Sequence, residues 1–187
     1  KEKMKEQSKL IRTQVPRSSN REHSVPLYLT SSFVFDDSEH GRAMFADEVE
    51  GNIYSRYSNP NTNEFIEKVR DSEGAEAGLA FSSGMAAVFA SIAGLLRSGD
   101  HIVAFRSIFG STHQLFAQLL PRWGITTTYV DASNPEDFEA ALRPETKMVF
   151  LETPSNPGLE LVDLEWLGNL KKKHNFILNV DNCFATP

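Results

Sequence analysis

One pattern restricts the fold of this chain more than any other. From Asn61 onward, short apolar runs of strand length alternate with segments whose apolar residues recur at helical spacing. The runs fall at 78–81, 101–105, 125–130, 147–151 and 176–181. Between them, Asn61 or Thr62 can cap a helix carrying Phe65, Ile66 and Val69 that stops near Gly74. A second helix is predicted with Met85, Val88, Phe89, Ile92, Leu95 and Leu96 on one apolar face, ended by Gly99. Further helices are predicted over 111–122 and 135–142, and from an Asp163 cap to about Lys173. Strands alternating with helices imply βαβ units with right-handed crossovers. The expected architecture is therefore α/β, a mostly parallel sheet with helices on both faces.

Residues 1–60 lack a sustained period and read as an irregular arm; 61–187 read as the first part of the α/β domain. No helix follows the 176–181 run within the sequence, so the domain is expected to continue beyond Pro187.

Charge narrows the function classes. A net charge of −6 argues against a nucleic-acid footprint, and the one basic triplet, Lys171-Lys172-Lys173, falls late in a predicted helix where cations complement the dipole. No run approaches the ~18 apolar residues of a membrane span. The N-terminal residues carry no apolar signal region, and a single cysteine, Cys183, excludes an internal disulfide framework. These features together predict a cytoplasmic protein that does not engage membranes. His113 and His174 have no second ligand at useful spacing, so no metal site is expected.

The carboxyl ends of the predicted strands gather the chemistry. Asp181 closes an apolar strand, and a buried carboxylate there calls for a positive partner or several donors. The turn Ser82-Ser83-Gly84-Met85 lies between a strand and a helix, where free N–H groups and the positive helix end suit an anion. The plainer reading is that Ser83 caps the helix and Gly84 relaxes the turn. Phe109 follows a strand and could stack on a planar ring, or be an ordinary core phenylalanine. Asn156, in a proline-stiffened loop, could bond a phenolic oxygen or merely sit in a turn. Tyr54 and Arg56 offer a phenol and a planar guanidinium to phosphate, or a surface turn. Together Gly84, Phe109, Asn156 and Asp181, all at the carboxyl ends of predicted strands, match what pyridoxal phosphate presents to a protein.

The chain resembles the N-terminal part of the Cys/Met-metabolism pyridoxal-phosphate enzymes. The resemblance runs through His23-Ser24-Val25-Pro26, Thr30-Ser31-Ser32-Phe33, Tyr54-Ser55-Arg56-Tyr57-Ser58-Asn59-Pro60, Ser82-Ser83-Gly84-Met85, Glu152-Thr153-Pro154-Ser155-Asn156-Pro157 and Asp181-Asn182-Cys183-Phe184-Ala185-Thr186-Pro187. It implies the large domain of fold type I and a tetramer built as a dimer of dimers. It implies that Tyr54 and Arg56 reach the cofactor phosphate of a neighbouring subunit, while Ser83, Gly84 and Met85 hold the phosphate of their own. It further implies that Phe109 stacks on the ring, Asn156 contacts the ring oxygen and Asp181 pairs with the pyridinium nitrogen.

Where lyases of the family commonly carry tyrosine the chain has Phe109, and where methionine γ-lyases carry cysteine it has Ser111. These residues resemble the sulfhydrylases that exchange the acyloxy group of O-succinylhomoserine for sulfide, giving homocysteine. Methionine γ-lyase and cystathionine γ-synthase or γ-lyase activities are the alternatives. The Schiff-base lysine is expected beyond Pro187, so these 187 residues hold no catalytic residue and are expected to be inactive alone.

Overall fold

The computed structural model describes residues 5–131, 134 and 136–187. They form two compact units. One takes in the described residues up to Ala80 together with Pro187, and the other spans Phe81–Thr186. The division falls later than the change of pattern at residue 60, because the helix beginning there packs with the arm.

In the first unit the helices are α1 (Glu6–Arg12), α2 (Ser38–Phe45) and α3 (Pro60–Glu73). The arm is thus not wholly irregular. Its helices have 7 and 8 residues, too few turns for a period to stand out. Helix α2 starts where the Asp37 carboxylate accepts the His40 N–H. Helix α3 starts earlier than expected, with Asn59 accepting the Asn61 N–H and Pro60 in the first turn. The Asn61 side chain is occupied elsewhere: it accepts the Tyr28 N–H at 2.8 Å and donates to the Pro26 carbonyl at 2.8 Å. Gly74 ends the helix at φ 60°, a left-handed conformation that costs glycine little. Thr13 and Lys9 both reach Asp71, tying α1 to α3. Residues 78–81, expected as a strand, form no regular element and pair with no strand among the described residues.

The second unit runs α4 (Gly84–Ala93), β1 (His101–Phe105), α5 (Gly110–Gln114), β2 (Thr126–Val130), α6 (Glu136–Ala140), β3 (Thr146–Glu152), α7 (Leu164–Lys173) and β4 (Ile177–Asp181). Between α5 and β2 the helix widens into a π turn over Leu115–Leu119, then tightens to a 3-10 turn over Leu120–Trp123. The expected continuous helix is broken there because Pro121 lacks the N–H that would extend it. Pro135, the expected start of the next helix, lies outside the described residues.

All four strands are parallel, in the order β2-β1-β3-β4. The core clusters around the two central strands: Ile102, Val103, Ala104, Phe105, Met148, Val149, Phe150 and Leu151 are all buried. Phe116 meets the Phe150 ring edge-on at 5.0 Å, and Asn179 on β4 donates to Ser91 of α4 while facing Met148. These contacts put α4 and the helix after β1 on one face. The right-handed rule then assigns α6 and α7 to the other.

Helix α4 corrects the sequence in two places. It ends at Ala93, capped by Gly94, and only part of its predicted apolar face is inside. Ile92 and Leu96 are buried, whereas Phe89 and Leu95 are 37% and 57% exposed. Strand β4 comes last in the order of these four strands and is half-buried among the described residues.

Candidate functional site

The strand order fixes where a ligand crevice forms. The chain leaves β1 toward β2 on one side, then crosses to β3 on the other, so a switch point opens between the carboxyl ends of β1 and β3. Phe109 stands on one bank and Glu152 on the other, and the Phe109 N–H donates to Glu152 Oε2 at 2.5 Å.

From this bond the rim can be followed in both directions. Toward β4, Glu152 and Asp181 are register partners on adjacent strands. Asp181 accepts the Cys183 N–H at 3.1 Å, and the Thr153 N–H donates to the Asp181 carbonyl. Toward α4, Thr112 in the first turns of α5 is buried and its hydroxyl faces Met85 Sδ at 3.8 Å. Met85 follows Gly84 at the start of α4. Gly84 and Asp181 are therefore on the same edge of the sheet.

The start of α4 is open. Ser83 caps it, its hydroxyl oxygen accepting the Ala86 N–H at 3.2 Å, so the plainer reading of Ser83 holds for that oxygen. Its own O–H donates to no acceptor among the described residues. A Cβ placed on Gly84 would meet nothing within 4 Å, leaving room for a ligand against the backbone. Phe109 is no core residue: it is 41% exposed and stacks on no other ring among the described residues. Asn156 is half-buried in the loop after β3. There the Ser155 hydroxyl accepts the Glu160 N–H and the Thr153 hydroxyl accepts the Val162 N–H.

The two rim acids differ. Glu152 is 3% exposed, and burial pushes its carboxyl above the usual range; the Phe109 N–H opposes this, the Asp181 charge reinforces it, and the Asn156 N–H weakly opposes it. Asp181 is half-buried. Neither acid meets a cationic side chain among the described residues. The Asp181 carboxylate, with burial adding to it, raises the Cys183 thiol and keeps it protonated.

Tyr54 and Arg56 belong to the first unit. Tyr54 forms an antiparallel bridge with Ser32, and the Arg56 guanidinium lies 5.0 Å from the Tyr54 ring centre and 5.5 Å from that of Tyr57. Arg56 has no carboxylate partner among the described residues. Asn59 donates to Ser55 Oγ and to the Tyr28 carbonyl, which holds this turn against the arm.

Glu152 is the site residue that sequence reasoning passed over. The argument used for Asp181, an acid ending an apolar strand, applies equally to Glu152 after Met148-Val149-Phe150-Leu151. Thr112 had no such signal, because only the packing of α5 against α4 gives it a role.

Two solved structures share this fold. The metY protein of Campylobacter jejuni, a candidate O-acetylhomoserine (thiol)-lyase solved with N'-pyridoxyl-lysine-5'-monophosphate, superposes with a TM-score of 0.93 at 30% identity, over 99% of this chain and 46% of that one. The metB protein of Corynebacterium glutamicum gives 0.90 at 33%, over 98% and 46%. The second unit is thus an incomplete large domain of the pyridoxal-phosphate-dependent type. Residues 7–187 match the Cys/Met metabolism PLP-dependent enzyme family, and the chain belongs to that family.

Among curated relatives, an O-succinylhomoserine sulfhydrylase of Pseudomonas aeruginosa is 44% identical over 95% of this chain and 44% of its own length. An L-methionine gamma-lyase of Porphyromonas gingivalis is 42% identical over 88% and 41%. A homocysteine/cysteine synthase of Saccharomyces cerevisiae is 40% identical over 90% and 38%. The chain spans less than half the length of these relatives.

Proposed function

We propose that this chain is the N-terminal portion of an enzyme that replaces the acyloxy group of O-succinylhomoserine with sulfide, giving homocysteine. The observation that carries the reading is the continuous rim from Gly84 through Thr112, Phe109 and Glu152 to Asp181. Its parts fit pyridoxal phosphate. The open start of α4 suits a phosphate, the exposed Phe109 ring suits a planar heterocycle, and two acids that meet no cationic side chain among the described residues suit a protonated ring nitrogen. When bound, the cofactor supplies an electron-withdrawing ring that stabilises negative charge at the substrate α-carbon.

The residues of this chain hold and orient. Gly84 and Met85 donate backbone N–H groups to the phosphate, and the Ser83 hydroxyl adds a third donor. Phe109 covers one face of the ring and keeps water from it. Asn156 donates to the ring oxygen, and Asp181 holds a proton on the ring nitrogen. Tyr54 and Arg56 complete the phosphate site of a neighbouring subunit in a tetramer. The phenylalanine at position 109 has no proton to exchange, which favours replacement over elimination. The relatives at comparable identity include sulfhydrylases and a methionine lyase, so the assay must separate the two. Complete protein incubated with O-succinylhomoserine and sulfide is expected to release homocysteine; breakdown of methionine without homocysteine synthesis would transfer the assignment to a γ-lyase.

A second reading concerns the 187 residues alone. Every lysine of Phe81–Thr186 lies at the amino edge of the sheet: Lys147 opens β3 and Lys171, Lys172 and Lys173 close α7. The rim therefore lacks an amine among the described residues, which supports inactivity of this portion by itself. Borohydride reduction of the isolated 187 residues with pyridoxal phosphate should leave no covalent adduct at the rim.

A further inference from the structure

We infer that Glu152 is a positioning residue of the rim: from the end of β3 it holds the Phe109 turn by its backbone and thereby sets where that ring stands beside Asp181. This rests on the reading of the rim as a pyridoxal phosphate site. The Phe109 ring is 41% exposed, contacts no other ring among the described residues, and its side chain makes no cap for α5. What fixes it is the main chain. On one side the Phe109 carbonyl accepts the His113 N–H within the helix; on the other its N–H reaches Glu152 Oε2 at 2.5 Å. The second of these ties the β1 bank of the crevice to the β3 bank.

Burial gives the bond its authority. Glu152 is 3% exposed, so water does not compete for its carboxylate, and an N–H bond to such an acceptor is stronger than a neutral one. A second acid repeats the device with less protection: the Ser107 hydroxyl donates to Glu160 at 3.1 Å, where Glu160 is exposed. The loop between β1 and α5 is therefore strapped twice to the loop after β3, and the buried strap is the one at Phe109. Because Glu152 is the register partner of Asp181, the same side chain sets the spacing between the stacking ring and the acid facing the ring nitrogen.

The test uses the complete protein, freed of cofactor, with Glu152→Ala and Glu152→Gln. Glutamine keeps an acceptor oxygen for the Phe109 N–H but cannot titrate, so it separates holding from proton transfer. Amide exchange at Phe109 is expected to quicken about tenfold or more in Glu152→Ala and to stay within about threefold of wild type in Glu152→Gln. Pyridoxal phosphate, titrated by absorbance, is expected to bind about tenfold more weakly to Glu152→Ala and near normally to Glu152→Gln. Wild-type exchange and affinity in Glu152→Ala would overturn the inference, as would a Glu152→Gln variant as impaired as Glu152→Ala. If Glu152→Ala does not fold, the glutamine variant decides: retained protection and affinity support holding, and loss of either overturns it. Failure of the wild type to bind pyridoxal phosphate would refute the cofactor reading, and exchange at Phe109 would still report the strap.

Discussion

Glu152 and Asp181 end adjacent parallel strands directly opposite one another, two acids side by side at the carboxyl edge of the sheet. Such a pair is unfavourable unless one member holds a proton or a cation sits between them. Burial of Glu152, with the Asp181 charge beside it, raises its carboxyl above the usual range, and the Phe109 N–H opposes that rise. A cationic ring would meet the second condition.

Asp181→Asn is therefore expected to weaken pyridoxal phosphate binding to the complete protein by about tenfold, roughly 1.4 kcal/mol, and to alter the cofactor spectrum. Unchanged affinity and spectrum would remove the pairing between Asp181 and the ring nitrogen.

Glu152 also predicts a pH dependence. Its reference value is 4.5, and its folded value is higher, chiefly through burial. Between the two the folded protein binds more protons than the unfolded chain, so stability falls as pH rises. The contribution is complete below the unfolded value and lost as pH rises through the folded one. Urea unfolding from about pH 4 upward should show wild type losing stability relative to Glu152→Gln; the reverse trend would contradict the burial argument.

His101 makes the opposite prediction. Its ring sits at the amino end of β1, 1% exposed, between Thr146 Oγ1 at 2.8 Å and Thr128 Oγ1 at 2.9 Å. Burial, with Arg143 second, lowers its folded value below the reference of 6.5. The unfolded chain then binds the proton first as pH falls, so this contribution is whole above 6.5 and declines toward the lowered folded value. Melting curves at pH 7 and 5.5 should show a loss that is smaller in His101→Gln.

Helix α4 and the turn that follows it offer a test by contrast. Ile92→Ala should cost about 2–5 kcal/mol, because the side chain is fully buried and leaves a cavity. Leu95→Ala, at 57% exposure, should cost under about 1 kcal/mol in the second unit. Chemical denaturation of both variants checks this, and equal losses would restore the broader face predicted from spacing.

Local chemistry was legible in the chain itself. Five-residue apolar runs gave β1 and β3, Asp163 gave the start of α7, and Gly74 the end of α3, because periodicity, caps and backbone freedom act over a few residues. The carboxyl-end placement of Phe109, Asn156 and Asp181 followed from alternation alone, whereas that of Gly84 rested on a strand at 78–81 that does not form, and the Thr112–Met85 contact links it to the rim instead. Packing over long sequence separations decided the rest. Strand order created the crevice between β1 and β3, and register set Glu152 against Asp181. An apolar run has the same composition in the middle of a sheet and at its edge; only the neighbouring strands determine which of the two it becomes.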